Sequence, residues 1–208
     1  GKERVALAVH NLSARSSHSL VVMNLAAIPQ DLAAAELFGS VRGAYTGAID
    51  RQGAFQRANQ STLFLDEIAD APISIQVQLL RALEQGEVQI LGGLMQTVNV
   101  RIVAATDQTT SEENGFRKAL HHRIAGFTLV IPPLRQRPED IAPQAMAMLG
   151  RDVEVSESLN PSKSSDFPEI AAHWARFFFD ALTHDWPGNS RELRHAVMLL
   201  AQDKGSLL

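Results

Sequence analysis

Thr62-Leu63-Phe64-Leu65-Asp66-Glu67 is an apolar run that ends in two adjacent carboxylates. A short unbroken apolar stretch of this kind reads as a strand buried inside a helix-covered sheet. In a parallel sheet, ligands bind beyond the carboxyl ends of the strands, and that is where Asp66 and Glu67 fall. Two carboxylates there can serve a nucleotide: Asp66 would hold a magnesium ion through its waters, and Glu67 would orient or deprotonate the attacking water. Acids can also do no more than end a strand and open a loop. The motif is short, and both readings fit it.

Outward from this run the elements alternate. Residues 2–13 read as a helix, Leu20 to Asn24 as a short buried strand, and Pro29 to Phe38 as a helix start followed by an alanine-rich helix. Gly53 to Ala58 is either a short strand or a helical turn. Ser74 to Gln85 spaces Ile75, Val77, Leu79, Leu80 and Leu83 with a helical period, and Gly86 stops it. Val98 to Ala105 predicts a further buried strand, and Phe127 to Ile131 a fourth. Strands alternating with helices predict an α/β fold, a mostly parallel sheet covered by helices.

At Pro132-Pro133 the pattern changes. Beyond Asp140 it is helical only, at Ile141 to Leu149, Ile170 to Leu182 and Arg191 to Gln202, with a serine-rich loop from Ser156 to Phe167. The expected division is an α/β domain over 1–136 and a small helical domain over 137–208. No internal repeat interrupts it.

Composition narrows the function classes. The 208 residues, 45% hydrophobic and 20% charged, suit an ordinary soluble globular protein with a sizeable core. A net charge of −4 argues against a nucleic-acid surface spread over the whole domain. With no cysteine, disulfides and thiolate metal sites are excluded, which fits a cytoplasmic location. The apolar stretch from Leu20 to Ile28 is interrupted by Asn24 and too short to span a bilayer, so no membrane role is expected.

Between the first two strands lies Glu36-Leu37-Phe38-Gly39-Ser40-Val41-Arg42-Gly43-Ala44-Tyr45-Thr46-Gly47-Ala48-Ile49. Glycine every fourth residue weakens helix and strand alike, and an aromatic at a glycine-flanked tip has little to pack against. The segment reads as a mobile loop presenting Tyr45 and Thr46 to something outside the domain.

Three further signals are weaker singly. Gly1-Lys2-Glu3 followed by a helix matches the end of a phosphate loop whose earlier residues are missing, with Lys2 reaching the terminal phosphates. An exposed lysine at a helix start is the plainer reading. Arg117 and Arg123 lie six residues apart before the fourth expected strand. Arg191 falls in the first turns of a helix opening at Asn189, where the helix dipole disfavours a cation and an anionic partner would explain it. A solvated arginine or a salt bridge would explain each equally simply.

Taken in order, these residues resemble the central AAA+ ATPase domain of sigma-54-dependent transcriptional activators, the bacterial enhancer-binding proteins. The resemblance rests on Gly1 to Glu3, Asn24 to Ile28, Glu36 to Gly39 and Gly43 to Ala48, then Thr62 to Glu67 and Val100 to Thr106. It continues through Phe116-Arg117, Arg123, Pro133 to Arg137 and Trp186 to Leu193, so it spans essentially the whole chain. It implies a phosphate-loop AAA+ core followed by an all-helical lid, with the N-terminal strand and most of the phosphate loop absent from this sequence. Without those glycines, the fragment alone is expected to bind ATP poorly.

The resemblance also implies roles. Gly1, Lys2 and Glu3 would belong to the phosphate loop, and Asp66 and Glu67 would be the magnesium and water-activating acids. Asn24 matches the residue that tethers the catalytic glutamate. Thr106 and Asp107 fall at the first sensor, and Arg191 at the second, in the lid. Arg117 and Arg123 match the fingers that reach a neighbouring subunit's nucleotide, which implies a ring, usually a hexamer. Gly43, Ala44, Tyr45, Thr46, Gly47 and Ala48 fall where the family touches the sigma-54 RNA polymerase holoenzyme. Cofactors would be ATP and magnesium, and promoter or enhancer DNA would be held by a domain outside this chain.

Four positions depart from the family pattern. Tyr45 stands where phenylalanine is usual, keeping the ring and adding a hydroxyl. Asp107 replaces an asparagine, which places a negative charge near the terminal phosphate. His121-His122 replaces paired tyrosines; neighbours on a helix point apart, so no metal site is expected from the pair. Two alternatives follow: a degenerate, non-hydrolysing scaffold, for which Asp107 argues, and an AAA+ ATPase that remodels another client.

Overall fold

The computed structural model describes residues 1–108, 110, 114–149 and 167–202. The chain divides into two compact units, Gly1–Leu129 and Val130–Leu208.

In the first unit, strands β1 (Val21–Asn24), β2 (Thr62–Asp66) and β5 (Arg101–Ala104) form a parallel sheet in the order β1-β2-β5. The central position of β2 explains its composition: Thr62, Leu63, Phe64 and Leu65 are all buried, as a strand covered on both faces requires. The register pairs Asn24 with Asp66 and Leu65 with Ala104, so the acids, Asn24 and the residues after Ala104 share one end of the sheet.

Helices α1 (Lys2–Asn11), α2 (Ala33–Phe38), α3 (Ala54–Arg57), α4 (Ile73–Gln85) and α5 (Lys118–Ile124) surround it. The segment left open in sequence, Gly53 to Ala58, is thus a helical turn. Its Phe55 ring stacks on Phe38 with centroids 5.5 Å apart, which joins α3 to α2. In α4 the residues Ile75, Leu79 and Ala82 are buried, as the helical period predicts, and Gly86 ends the helix in the left-handed conformation. At the far end of the sheet, His10 ties α1 to β2: its Nδ1 lies 3.0 Å from Thr62 Oγ1 and its Nε2 lies 2.8 Å from the His18 carbonyl.

A short antiparallel hairpin, β3 (Glu87–Gln89) and β4 (Met95–Thr97), follows α4. It was not among the elements expected from the sequence. The expected fourth strand at Phe127 to Ile131 is corrected: no strand forms there. A strand exists through hydrogen bonds to a neighbour, and among the described residues β1, β2 and β5 pair only with one another. Phe127 and Val130 are accordingly 86% and 82% exposed.

The second unit is helical in its described residues: α6 (Ile141–Leu149), α7 (Phe167–Thr183) and α8 (Asn189–Gln202), preceded by single turns at Leu134–Gln136 and Pro138–Asp140. Leu134, Ile141, Ala145, Leu149, Trp174, Ala181, Trp186, Leu193 and Val197 make its core. Trp186 satisfies its buried indole by donating Nε1–H to the Ala181 carbonyl at 2.8 Å. The serine-rich loop expected from Ser156 lies outside the described residues up to its last position, Phe167, where α7 begins. Among the described residues, no helix is long and apolar enough to cross a membrane.

Candidate nucleotide site and presented loop

The end of β2 gathers charge. Lys2, in the first turn of α1, donates from Nζ to Glu67 Oε1 at 2.5 Å and lies 3.9 Å from Asp66 Oδ1. Residues separated by 65 positions meet because α1 starts, and β2 ends, at the same end of the sheet. Glu67 has φ +53°, a left-handed conformation that costs a non-glycine residue about 1–2 kcal/mol. Such strain is a recurrent property of functional positions. Among the described residues, two buried oxygens, Asp66 Oδ1 and Glu67 Oε2, have no hydrogen-bond partner. Orphaned carboxylate oxygens beside a lysine fit a water-ligated divalent cation and an attacking water.

Asn24 is committed at both ends of its amide. Its oxygen accepts from Ala26 N at 2.9 Å, and its Nδ2 lies 3.5 Å from Asp66 Oδ2. The strand register puts it opposite Asp66, while the left-handed backbone of Glu67 accompanies a side chain that goes to Lys2. Asn24 therefore touches the first acid and not the second. Gly1 caps α1 without a side chain, and Glu3 is exposed in its first turn.

Beyond β5, Thr106 Oγ1 accepts from Gln108 N at 3.0 Å, and Asp107 is exposed. Gln108 Nε2 donates to Asp70 Oδ1 at 2.9 Å, which joins this segment to the turn Ile68–Asp70 after the acids. The sequence reading passed over Gln108.

Arg117 and Arg123 are held differently. Arg123 donates Nε and Nη2 to the Leu83 carbonyl at 3.2 and 2.7 Å, capping the C-terminal end of α4. Arg117 has an exposed side chain, and its backbone N–H donates to Gln76 Oε1 at 2.9 Å. Gln76 also escaped the sequence reading. A glutamine at helical spacing from Leu79, Leu80 and Leu83 was the available signal. In the second unit, Arg191 is exposed in the first turn of α8, where Glu192 Oε2 accepts from Gly188 N at 2.8 Å.

The glycine loop has a fixed base and an open tip. At the base, Ser40 and Arg51 exchange backbone hydrogen bonds at 3.0 and 2.9 Å, Arg51 pairs with Glu36 at 2.5 Å, and Asp50 accepts from Arg42 N at 2.8 Å. Gly39 belongs to this base: a Cβ there would lie 2.6 Å from Gln56 Oε1 and 2.7 Å from the Arg51 carbonyl. Gly43 and Gly47 have φ of +85° and +82° with open space around them. Between them Tyr45 is 41% exposed and Thr46 is exposed, while Ala48 is buried. The turn of the β3–β4 hairpin packs on the loop, since a Cβ on Gly92 would meet Ala44 Cβ at 2.7 Å. Gly92-Gly93, a turn dipeptide between Ile90-Leu91 and Leu94-Met95, was the available signal for this hairpin turn.

Comparison with known proteins identifies the family of the chain. The family described as Sigma-54 interaction domain matches residues 1–130. The anaerobic nitric oxide reductase transcription regulator NorR of Vibrio vulnificus strain YJ016 is 42% identical, covering 95% of this chain and 38% of its own length. Nitric oxide reductase transcription regulator NorR1 of Cupriavidus necator is 41% identical, covering 95% of this chain and 37% of its own. The chain thus spans less than half the length of these relatives. The crystal structure of NtrX from Brucella abortus in complex with ADP matches with a TM-score of 0.78 at 31% identity, over 99% of this chain and 44% of that one. The NtrX complex with ATP matches equally, at 30% identity over 99% of this chain and 46% of that one. A likeness to Hsp104 of S. cerevisiae, at 16% identity and TM-score 0.61, concerns the fold alone. With more than half its length matched by the family and its fold shared with NtrX, the chain belongs to the sigma-54 interaction domain family, the AAA+ ATPase-type domain of sigma-54-dependent transcription regulators.

Proposed function

We propose that this chain is the ATP-driven element of an activator that remodels sigma-54 RNA polymerase holoenzyme so that promoter DNA opens. The observation that carries the reading is the meeting of Lys2 with Glu67 and Asp66 at the end of β2, where, among the described residues, two buried carboxylate oxygens have no hydrogen-bond partner. Lys2 holds Glu67 by a charge-assisted bond that a nucleotide's terminal phosphates would compete for. Once Lys2 turns to the phosphates, Glu67 is free to orient the attacking water. A magnesium ion bound through water at Asp66 would neutralise charge on those phosphates. NtrX, which shares this fold, has been crystallised with ATP and with ADP, and this supports nucleotide binding here.

Catalysis of this kind depends on positioning and charge stabilisation. Thr106 and Asp107, which follow β5 at the acid end of the sheet, would sense the terminal phosphate, and Asn24 would set the acid pair through Asp66. Arg117 and Arg123 would complete a neighbouring subunit's site in a hexameric ring, and Arg191 would act from a helical lid over 137–208, beyond a core over 1–136. Hydrolysis would move the loop that offers Tyr45 and Thr46 to sigma-54. DNA would be bound by a domain outside this chain, in the cytoplasm. In the full-length protein, Thr46→Ala should leave phosphate release within about twofold while open-complex formation is lost, because a small exposed substitution leaves the site intact. Equal loss of both would sink this division of labour.

The exposed carboxylate of Asp107 favours a second reading, a scaffold that binds partners without hydrolysis. ATP turnover by the full-length protein separates the two.

A further inference from the structure

Gln76 lies on the inner side of α4 beside Ile75 and Leu79, with 1% of its surface exposed. A buried amide is costly unless its donors and its acceptor are met. Here Nε2 donates to the Ala71 carbonyl at 2.9 Å and to the Gly115 carbonyl at 3.1 Å, and Oε1 accepts from Arg117 N at 2.9 Å. Two carbonyls face the nitrogen and one N–H faces the oxygen, so a flipped amide would forfeit all three bonds. Ala71 closes the turn that leaves the acid pair. Gly115 and Arg117 bracket the buried Phe116 and bring Arg117 to the start of α5, a helix with no side-chain cap of its own. Both arginines are therefore referred to α4: Arg117 through Gln76 near its beginning, and Arg123 through the Leu83 carbonyl near its end.

We propose that Gln76 is a positioning residue, which fixes the backbone of Arg117 relative to the acid end of β2 and so passes a change at one subunit's acid pair to the arginine that subunit offers its neighbour. This rests on the trans role of Arg117 proposed above. Without the amide, the Ala71 and Gly115 carbonyls and the Arg117 N–H lose this partner and Arg117 loses its register. The acids of the same subunit keep Lys2 and the strand register that place them.

The test uses full-length protein assembled from two kinds of subunit. Gln76→Leu subunits alone should turn over ATP about 10²-fold more slowly, with KM within about twofold, as expected when a catalytic group is misplaced by about 1 Å. Mixed with Glu67→Gln subunits, which keep Gln76 and Arg117, activity should rise about tenfold above either parent, because an intact acid pair then meets a correctly held arginine. Arg117→Ala mixed with Glu67→Gln should recover in the same way. Recovery in the Arg117 mixture but not in the Gln76 mixture overturns the proposal and makes Gln76 a prop of its own subunit's site. Recovery in neither overturns the trans reading beneath it. Should Gln76→Leu fail to assemble, Gln76→Glu replaces it in the same mixtures with the same outcomes. It keeps size and the acceptor for Arg117 but turns an oxygen toward two carbonyls.

Discussion

The acid end of β2 and the tip of the glycine loop belong to one unit and are built on opposite rules. Around Asp66 and Glu67, strand register, Lys2, Asn24 and a strained backbone each restrict the carboxylates. Around Tyr45 and Thr46, Gly43 and Gly47 stand in open space; side-chain restraints gather at the base formed by Glu36, Ser40, Asp50 and Arg51, and the hairpin turn reaches the loop at Ala44. Chemistry on a phosphate needs groups that are placed before the reaction begins. A contact made and released with a partner needs a segment with few local restraints. The loop's three glycines divide along the same line, since Gly39 is packed like the acid site and the other two are not.

Four substitutions probe this contrast. The largest effect is expected from Glu67→Gln: phosphate release in the full-length protein should fall about 10²–10⁴-fold, as for loss of a general base, while ATP still binds. Retained turnover would remove Glu67 from the chemistry and leave the acid end as an ordinary strand terminus. Next, Gly39→Ala combines a positive φ with a collision against the Arg51 carbonyl, and denaturant unfolding should show a loss of about 2–4 kcal/mol. Gly43→Ala keeps the strain without the collision, so the same measurement should give about 1–2 kcal/mol. Equal losses at Gly39 and Gly43 would erase the distinction between base and tip. The smallest change in stability belongs to Thr46→Ala, under about 0.5 kcal/mol for an exposed side chain. A larger loss would show that the tip is packed after all.

Much of this was legible in the chain. The unbroken apolar run Thr62 to Leu65 told of a strand covered on both faces, and the period of Ser74 to Gln85 told of α4 with its stop at Gly86. These patterns are local, so the burial they imply can be read from spacing. Phe127 to Ile131 is apolar enough for a strand and fails as one, because strand formation depends on a hydrogen-bonding neighbour that no local pattern reveals. The hairpin β3–β4 escaped for the opposite reason: Met95, Gln96 and Thr97 are exposed, so burial wrote no alternation into them.

By itself, then, the sequence determined the α/β class, the acids at the end of β2, the exposed aromatic tip and the family. Each of these depends on residue type and spacing along a few positions. Only the tertiary structure decided that Lys2 meets Glu67 across 65 residues and that Asn24 turns to Asp66. It alone separated Gly39 from Gly43, and Arg123 held at Leu83 from Arg117 held through Gln76. These are hydrogen bonds and close approaches between segments far apart in the chain, and their partners are chosen by strand register and helix packing.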